Sequence, residues 1–150
     1  MMARVNTLPV YEPELQREMH RYRAAIYHQY HAVPMGALQN KALKALVLIK
    51  VQEELLQTKH LWPYHTYYDL LRDRKVVNRQ RQLIAGQGGI VYGPVQYSEE
   101  SFFDYELTNA LIKLMRALGK NQGQYQQYIN TRVKTSQVII YRQRLAAVKI

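Results

Sequence analysis

The chain has 150 residues, the size of one domain, and it contains no cysteine. The lack of cysteine excludes disulfide scaffolds, thiol nucleophiles and cysteine-ligated zinc or iron–sulfur sites. Lysine and arginine number 21 against 11 acids, a net charge of +10, and 13 tyrosines stand against two phenylalanines and one tryptophan. The composition is that of a basic, tyrosine-rich globular domain.

The first predicted helix begins near Glu12-Pro13-Glu14, where a proline in the first turn and flanking carboxylates favour a helix N-terminus. It runs to about His31 with one apolar stripe at helical spacing, formed by Leu15, Met19, Tyr22, Ile26 and Tyr30. We expect no signal peptide, because the residues before this helix contain no apolar run. We predict an N-terminal arm and basic helix over residues 1–36 and a helical bundle over residues 37–150.

Two further helices are predicted in the next part of the chain. The segment Ala37–Lys59 has apolar residues on nearly every side between Ala42 and Val51, which is typical of a helix buried among its neighbours. The segment Tyr64–Ala85 follows a proline and carries a basic run in its middle. Neither segment has the roughly 20 consecutive apolar residues of a membrane-spanning helix, so we predict no transmembrane segment.

The fourth predicted helix has the clearest boundaries. Ser98-Glu99-Glu100-Ser101 supplies a capping residue and two acids in the first turn, and Gly119 ends the helix. The last segment, Gln122–Ile150, has mostly helical spacing, but its β-branched stretch 136–141 fits a helix or a strand. Residues 87–97 are predicted as a short β-hairpin or an ordered loop. The sequence thus predicts an all-α fold, a bundle of four to five helices with an N-terminal helical arm.

The positive charge belongs to the helices rather than to a tail. Residues 61–90 carry a net charge of +3 and residues 120–150 carry +6 with no acid, whereas residues 91–119 carry −2. Most of the bases in the 61–90 cluster are arginines, whose planar guanidinium suits phosphate oxygens. The candidate polyanion contacts on this ground are Arg72, Arg74, Lys75, Arg79, Arg81, Arg132, Lys134, Arg142 and Arg144. An anionic lipid surface is the alternative partner, although the tyrosine-rich first helix fits a protein or nucleic acid at least as well.

The sequence contains no recognisable catalytic or metal-binding pattern. The five histidines lack an H-E-x-x-H arrangement, and the glycine stretch 86–89 lacks the strand, helix and Lys-Ser/Thr ending of a phosphate loop. The acid pairs Glu53-Glu54 and Glu99-Glu100 are adjacent in sequence, so each pair is split between helix faces and is expected to be solvated or capping. None of the three serines lies in a nucleophile elbow. We therefore predict no enzyme, no metal site and no cofactor.

The tyrosines predict contacts between subunits. A buried tyrosine hydroxyl needs a hydrogen-bond partner, so a monomeric bundle ordinarily fills its core with leucine and phenylalanine. Fifteen glutamines supply further hydrogen-bonding side chains for an interface. The candidate interface residues are Tyr22, Tyr27, Tyr30, Tyr67, Tyr68, Tyr125 and Tyr128.

In its length, helical layout, basic character and lack of cysteine, the chain resembles the major capsid proteins of filamentous viruses of hyperthermophilic archaea, of the tristromavirus and lipothrixvirus type. The resemblance spans the whole chain and rests on size, helix layout and composition. It implies a heterodimer of two related capsid proteins that wraps linear double-stranded DNA, held in A-form, inside a lipid envelope. It also implies a location in the virion nucleocapsid, and in the host cytoplasm during assembly.

The resemblance further implies that basic residues of the N-terminal region and the bundle face the DNA. The corresponding residues here are Arg4, Arg17, Arg21, Arg23, Lys41 and Lys44, followed by Arg72, Arg74, Lys75, Arg79 and Arg81. The chain departs from this pattern in one respect, because its largest excess of positive charge lies in residues 120–150.

The function that these observations favour is a structural capsid subunit that coats double-stranded DNA without sequence specificity. Such a protein reads phosphates and shape rather than base edges. The alternative is a small basic accessory subunit of a large ribonucleoprotein or respiratory assembly, such as a mitochondrial ribosome. A small DNA-binding regulator is less favoured, because the sequence shows no clear helix-turn-helix pair.

Overall fold

Six helices and one small antiparallel sheet make up the computed structural model, which describes residues 1–150. The helices are α1 (Glu12–Tyr30), α2 (Met35–Thr58), α3 (Tyr67–Gly86), α4 (Glu99–Leu118), α5 (Gln122–Lys134) and α6 (Arg142–Leu145). The strands are β1 (Ala3–Val5), β2 (Leu8–Val10) and β3 (Val138–Ile140). The predicted helical bundle is therefore confirmed. None of the helices combines the length and the apolar character needed to cross a membrane.

Local capping signals set the ends of the longer helices. The Tyr11 N–H donates to the Glu14 carboxylate at the start of α1, over 2.9 Å. The α3 helix begins three residues after the predicted Tyr64, because the Thr66 N–H donates to the Asp69 carboxylate, also over 2.9 Å. The α4 helix begins after Ser98, as predicted, and ends at Gly119.

The α2 helix lies at the centre of the molecule and contacts α1, α4, α5 and both strands of the N-terminal hairpin. Its first half contributes Leu38, Ala42 and Leu46 to the larger of two apolar clusters. Its second half contributes Leu55 and Leu56 to the smaller cluster, which α4 and α5 complete. The prediction of a helix buried on nearly every side is confirmed.

The sheet joins the two ends of the sequence. The residues before α1, expected as part of the N-terminal arm, form the hairpin β1–β2. β1 is the central strand, with Ala3 opposite Val10 of β2 and Ile140 of β3. The β1–β2 turn contains Asn6 with a φ of 52°, a left-handed conformation that asparagine tolerates better than most residues. Three-residue strands are too short for a reliable alternating pattern, which is why the sequence did not predict them.

The stretch 136–141, which the sequence left open, contains a strand. The Asn6 N–H donates to the Gln137 carbonyl over 2.7 Å, and the Tyr141 N–H donates to the Met2 carbonyl over 3.0 Å. The predicted last helix consequently ends at Lys134, since main-chain partners from β1 favour the extended conformation of the β-branched residues that follow.

Residues 87–97 form an ordered loop without a strand. The Tyr97 N–H donates to Asn78 Oδ1 over 2.7 Å, and Asn78 Nδ2 donates back to the Tyr97 carbonyl over 3.0 Å. Arg81 Nε donates to the Pro94 carbonyl over 2.7 Å. Side chains of α3 thus supply the hydrogen-bond partners for the loop main chain that the second strand of a hairpin would have supplied.

The end of α4 gives a test of local backbone geometry. Gly119 has a φ of +63°, and a Cβ built there meets no atom within 4 Å. We expect Gly119→Ala to lower the free energy of unfolding by about 1–2 kcal/mol, because an L-residue is strained in this conformation. Gly36→Ala is the matched control, since Gly36 has equal space but lies in α2 without a positive φ. Urea unfolding should show no loss of unfolding free energy for Gly36→Ala. Equal losses for the two variants would contradict the assignment of backbone strain to position 119.

Candidate nucleic-acid interface

Carboxylates are buried between α1 and α2, where they surround one lysine. Lys50 Nζ lies 2.5 Å from Glu14 Oε1 and 3.1 Å from Glu53 Oε2, and all three side chains are buried. Burial by itself would lower the pKa of Lys50, but Glu53 and Glu14 together raise it. Burial raises the pKa of Glu53, although Lys50 opposes that effect. The expectation that the Glu53-Glu54 pair is solvated or capping is therefore wrong for Glu53.

A second buried ion pair removes one predicted DNA contact from the surface. Arg17 Nε donates to Glu18 Oε2 over 2.9 Å, and the exposed fraction of the Arg17 side chain is 1%. The guanidinium lies 3.6 Å from the centre of the Phe103 ring on α4. The prediction that Arg17 faces DNA is wrong in this fold, because α4 covers it.

Arg21 is also engaged inside the protein. Its guanidinium lies 3.1 Å from Glu18, 3.1 Å from Glu100 and 2.7 Å from Asp104. Burial would lower the pKa of Arg21, but these three carboxylates raise it, with Asp104 contributing most. The side chain therefore joins α1 to α4 and is not free to contact a phosphate.

The ion pairs make the surface more positive than the net charge suggests. They use four of the 21 bases, namely Arg17, Arg21, Lys50 and Arg72, together with six of the 11 acids. Seventeen bases and five acids remain outside any ion pair. A surface with this imbalance attracts anionic polymers over distances of about a Debye length.

A polar groove about 600 Å³ in volume runs along one side of α5. We call it the α5 polar groove, and its lining residues are Gly119, Lys120, Gln124, Gln127, Tyr128, Thr131, Arg132 and Thr135. The Tyr128 ring lies between two cations, with Lys120 Nζ at 5.0 Å and Arg132 Cζ at 5.6 Å from its centre. The ring holds both cations at the groove without neutralising them. Hydroxyls, amides and two unpaired charges therefore face one concave surface.

A second groove, about 310 Å³, lies on the opposite side of α5 and is walled by α1 and α2. We call it the lysine groove, and its lining residues are Tyr22, Lys41, Lys44, Ala45, Leu48, Asn130 and Val133. Lys41 Nζ lies 5.4 Å from the centre of the Tyr22 ring. The exposed Lys134 follows on the outer face of α5. The structure thus brings together several predicted contacts from distant parts of the sequence.

Only part of the basic run on α3 is free. Arg72 pairs with Asp69, and Arg74 Nε donates to the Tyr97 carbonyl over 3.0 Å. Arg81 secures the loop after α3, as described above. Lys75 and Arg79 are exposed and make neither an ion pair nor a hydrogen bond. The α3 helix therefore contributes two unengaged cations rather than five.

The remaining predicted contacts lie apart from the two grooves. Arg4 is exposed on β1, Arg23 is exposed on α1, and Arg142 is exposed at the start of α6. Arg144 is exposed as well, but its Nη1 donates to the Met1 carbonyl over 3.1 Å. These residues add positive charge to the surface without forming a further cluster with α5.

Two of the predicted interface tyrosines belong to the core. Tyr67 packs against Phe103, with ring centres 6.0 Å apart, and the Tyr125 hydroxyl donates to Gln52 Oε1 over 2.8 Å. Burial raises the pKa of Tyr67 and of Tyr125 to about 12. The prediction that Tyr67 and Tyr125 lie in a subunit interface is therefore wrong, because the bundle covers both side chains.

The other five predicted interface tyrosines reach the surface. Tyr27, Tyr30 and Tyr68 are exposed, and Tyr22 and Tyr128 line the two grooves. A subunit interface at these residues stays a prediction.

Lys120 is the site residue that the sequence analysis did not single out. It lies in the acid-free stretch 120–150, and its positive charge in that stretch could have identified it as a candidate contact. Its position beside Tyr128 depends on the α4–α5 turn, which only the folded chain shows.

Comparisons with known proteins do not assign a function. No family model matches the chain, and no significant match is found among the curated proteins or the solved structures.

The buried lysine gives a test of the internal ion pairs. We expect Lys50→Met to lower the free energy of unfolding by about 3–5 kcal/mol at neutral pH, because it leaves Glu14 and Glu53 buried without a cation. The loss should shrink in mildly acidic buffer, where protonation removes the uncompensated charge. Lys41→Met is the control on the same helix, and its exposed side chain should change stability by less than about 0.5 kcal/mol. Equal urea midpoints for the two variants would contradict the role of Lys50.

Proposed function

We propose that the protein is a structural DNA-binding protein that coats double-stranded DNA by its phosphates, without sequence preference, as a nucleocapsid subunit. The observation that carries the proposal is the segregation of charge. Three carboxylates are paired inside the bundle and three at its surface, so seventeen bases and only five acids remain outside any ion pair. Binding of this kind releases counterions from DNA, so it weakens steeply with salt.

The distribution of the free bases supports phosphate binding rather than base reading. They lie on β1, on all five longer helices and in the C-terminal segment, not on one helix alone. A sequence-specific protein concentrates its base contacts on one recognition element. Contacts spread over several elements position the protein on the backbone and carry no sequence information.

The α5 helix is the element best placed to lie against a duplex. Cations line the grooves on both of its sides, with Lys120 and Arg132 in one and Lys41 and Lys44 in the other. A helix is about 10–12 Å across, close to the 12 Å width of the B-form major groove, so its flanks can face both phosphate strands. In an A-form duplex the wide, shallow minor groove is the accessible one.

Other parts of the hypothesis rest on the resemblance to archaeal viral capsid proteins and stay predictions. These are the A-form of the bound DNA, a paralogous chain as heterodimer partner, a surrounding lipid envelope and a location in the virion. The proposed role is binding, with no catalytic step. Circular dichroism of the bound DNA tests the A-form directly, because the two duplex forms have different spectra.

Removal of the two cations beside Tyr128 tests the site. We expect the double variant Lys120→Gln/Arg132→Gln to weaken binding of a short DNA duplex equally for unrelated sequences. The slope of log affinity against log salt should fall by about 2, because each of the two cations is expected to neutralise one phosphate. Fluorescence anisotropy across a salt series measures both quantities.

The matched control removes the same charge elsewhere. Lys59→Gln/Lys113→Gln takes two exposed lysines from regions outside the grooves. It should leave the salt slope nearly unchanged. Equal effects of the two double variants would refute the α5 site, and tighter binding to an RNA duplex would favour the ribonucleoprotein alternative.

Coating itself predicts protection of the DNA. At saturating protein and low salt, we expect a long linear duplex to resist nuclease along its whole length, since every site is bound alike. Electron microscopy of the same sample should show continuous nucleoprotein filaments. Naked stretches beside isolated globular particles, together with complete digestion, would refute coating.

A further inference from the structure

One edge of the sheet is open to another strand. The strand order β2-β1-β3 leaves β2 and β3 at the two edges. Pro9 lies at the centre of β2 and has no N–H to donate, which protects that edge. β3 consists of Val138, Ile139 and Ile140 and has neither a proline nor a charge. The molecule therefore has one unprotected edge.

The hydrogen bonds of β3 show which groups face that edge. Gln137 and Tyr141 bond to the hairpin on the β1 side, and antiparallel pairing alternates along the strand. The main-chain N–H and C=O groups of Val138 and Ile140 consequently point away from β1. An incoming strand would find two residues with free donors and acceptors.

An apolar pocket of about 210 Å³ lies beneath this edge, between the sheet and α2. Val138 and Ile140 form one wall, Leu43 and Val47 of α2 form another, and Lys44 lies at the rim. Val138 is 41% exposed although it faces the pocket. A strand added to β3 would cover this pocket and place alternate side chains in it.

The loop between α3 and α4 has the matching properties. Ile90 and Tyr92 are 76% and 83% exposed, more than any other large apolar side chain of the protein. They are two residues apart, so both would lie on one face of an added strand. No backbone hydrogen bond reaches residues 90–92, and only the Arg81 side chain holds the Tyr92 carbonyl. Residues 86–98 carry no charge.

Charge favours contact between this loop and β3 of a second copy. Because Glu100 and Asp104 are paired with Arg21, the free charges of the segment 91–119 balance, whereas β3 lies in the segment 120–150 with +6. Glu99 follows the loop outside any ion pair, whereas Lys134 and Arg142 flank β3. Two-fold pairing of β3 with β3 would instead bring those cations together. The uncharged loop avoids that repulsion, so charge favours the loop-to-edge arrangement over edge-to-edge pairing.

We propose that copies of this chain join head to tail, with residues 90–92 of one copy added as a strand to the β3 edge of the next. Ile90 and Tyr92 fill the apolar pocket beside Val138 and Ile140. The loop and the β3 edge are different surfaces, so each copy can bind one neighbour through its loop and a second neighbour through its β3 edge. The contact therefore propagates into a filament. The inference deepens the proposed coating function by naming the contact between copies, and it requires no DNA.

Each side of the junction can be removed separately. Val138→Pro deletes an outward N–H and leaves the hydrogen bonds of Gln137 and Tyr141 to the hairpin, whereas Val138→Ile keeps both that N–H and an apolar side chain at the pocket wall. Ile90→Ser/Tyr92→Ser removes the incoming side chains from a loop outside the core, and Val76→Ser/Ile112→Ser is its matched control at two other exposed apolar positions. Circular dichroism first verifies that each variant is folded.

Sedimentation without DNA at low salt gives the readout. We expect the wild type and both controls to form oligomers that lengthen with concentration, and the two junction variants to weaken association by about tenfold or more. An equal mixture of Val138→Pro and Ile90→Ser/Tyr92→Ser should stop at dimers, since one intact junction remains for each pair.

Several results would overturn the inference. A wild type that stays monomeric would overturn it. An Ile90→Ser/Tyr92→Ser variant that associates as strongly as the wild type would also overturn it. If Val138→Pro does not fold, Ile90→Ser/Tyr92→Ser still tests the junction, because its two substitutions are at the surface. DNA binding measured on the same proteins separates the two proposals. A protein that self-associates but shows no salt-dependent DNA binding would refute the coating function and leave the junction standing. A protein that binds DNA but does not self-associate would refute only the junction.

Discussion

The burial of carboxylates is the constraint on which the rest of this structure depends. Glu14, Glu18 and Glu53 lie in the interior, where each must meet a cation or remain an uncompensated charge. Lys50 and Arg17 meet that requirement. Lys50 joins α2 to Glu14 of α1, and the Arg17 guanidinium packs on Phe103 of α4. A buried ion pair adds little net stability over an apolar pair, but its geometry permits one arrangement of the helices.

The same constraint determines the surface. A protein with 11 acids could distribute them among its bases and present a nearly balanced exterior. Here six of the acids are paired, three of them in the core, so the free bases have few local counter-charges. Stability and the positive charge of the surface therefore depend on the same side chains, because the carboxylates that hold α1 in place are all paired with cations.

The proposed assembly makes different demands from the proposed DNA binding, and the features that suit each lie in different places. The cations that suit phosphates lie beside α5, whereas the exposed apolar groups lie in the uncharged loop before α4 and on β3. Exposed apolar groups and a free strand edge are a liability in a monomer. They are consistent with a chain whose surface is completed by another copy.

Local signals in the sequence determined the helices. Pro13 in a first turn, Ser98 before two acids and Gly119 at a left-handed position act within a few residues, so their effect can be read without the fold. The sequence also determined the location of charge, including the acid-free stretch that contains Lys120 and Arg132. Tertiary structure alone decided which charges are free. Arg17 and Arg23 belong to one helix and are chemically identical, yet Phe103 covers the first and solvent surrounds the second. The pairing of Val138–Ile140 with β1 was equally a tertiary decision, because hydrogen bonds between residues more than a hundred positions apart leave no local pattern.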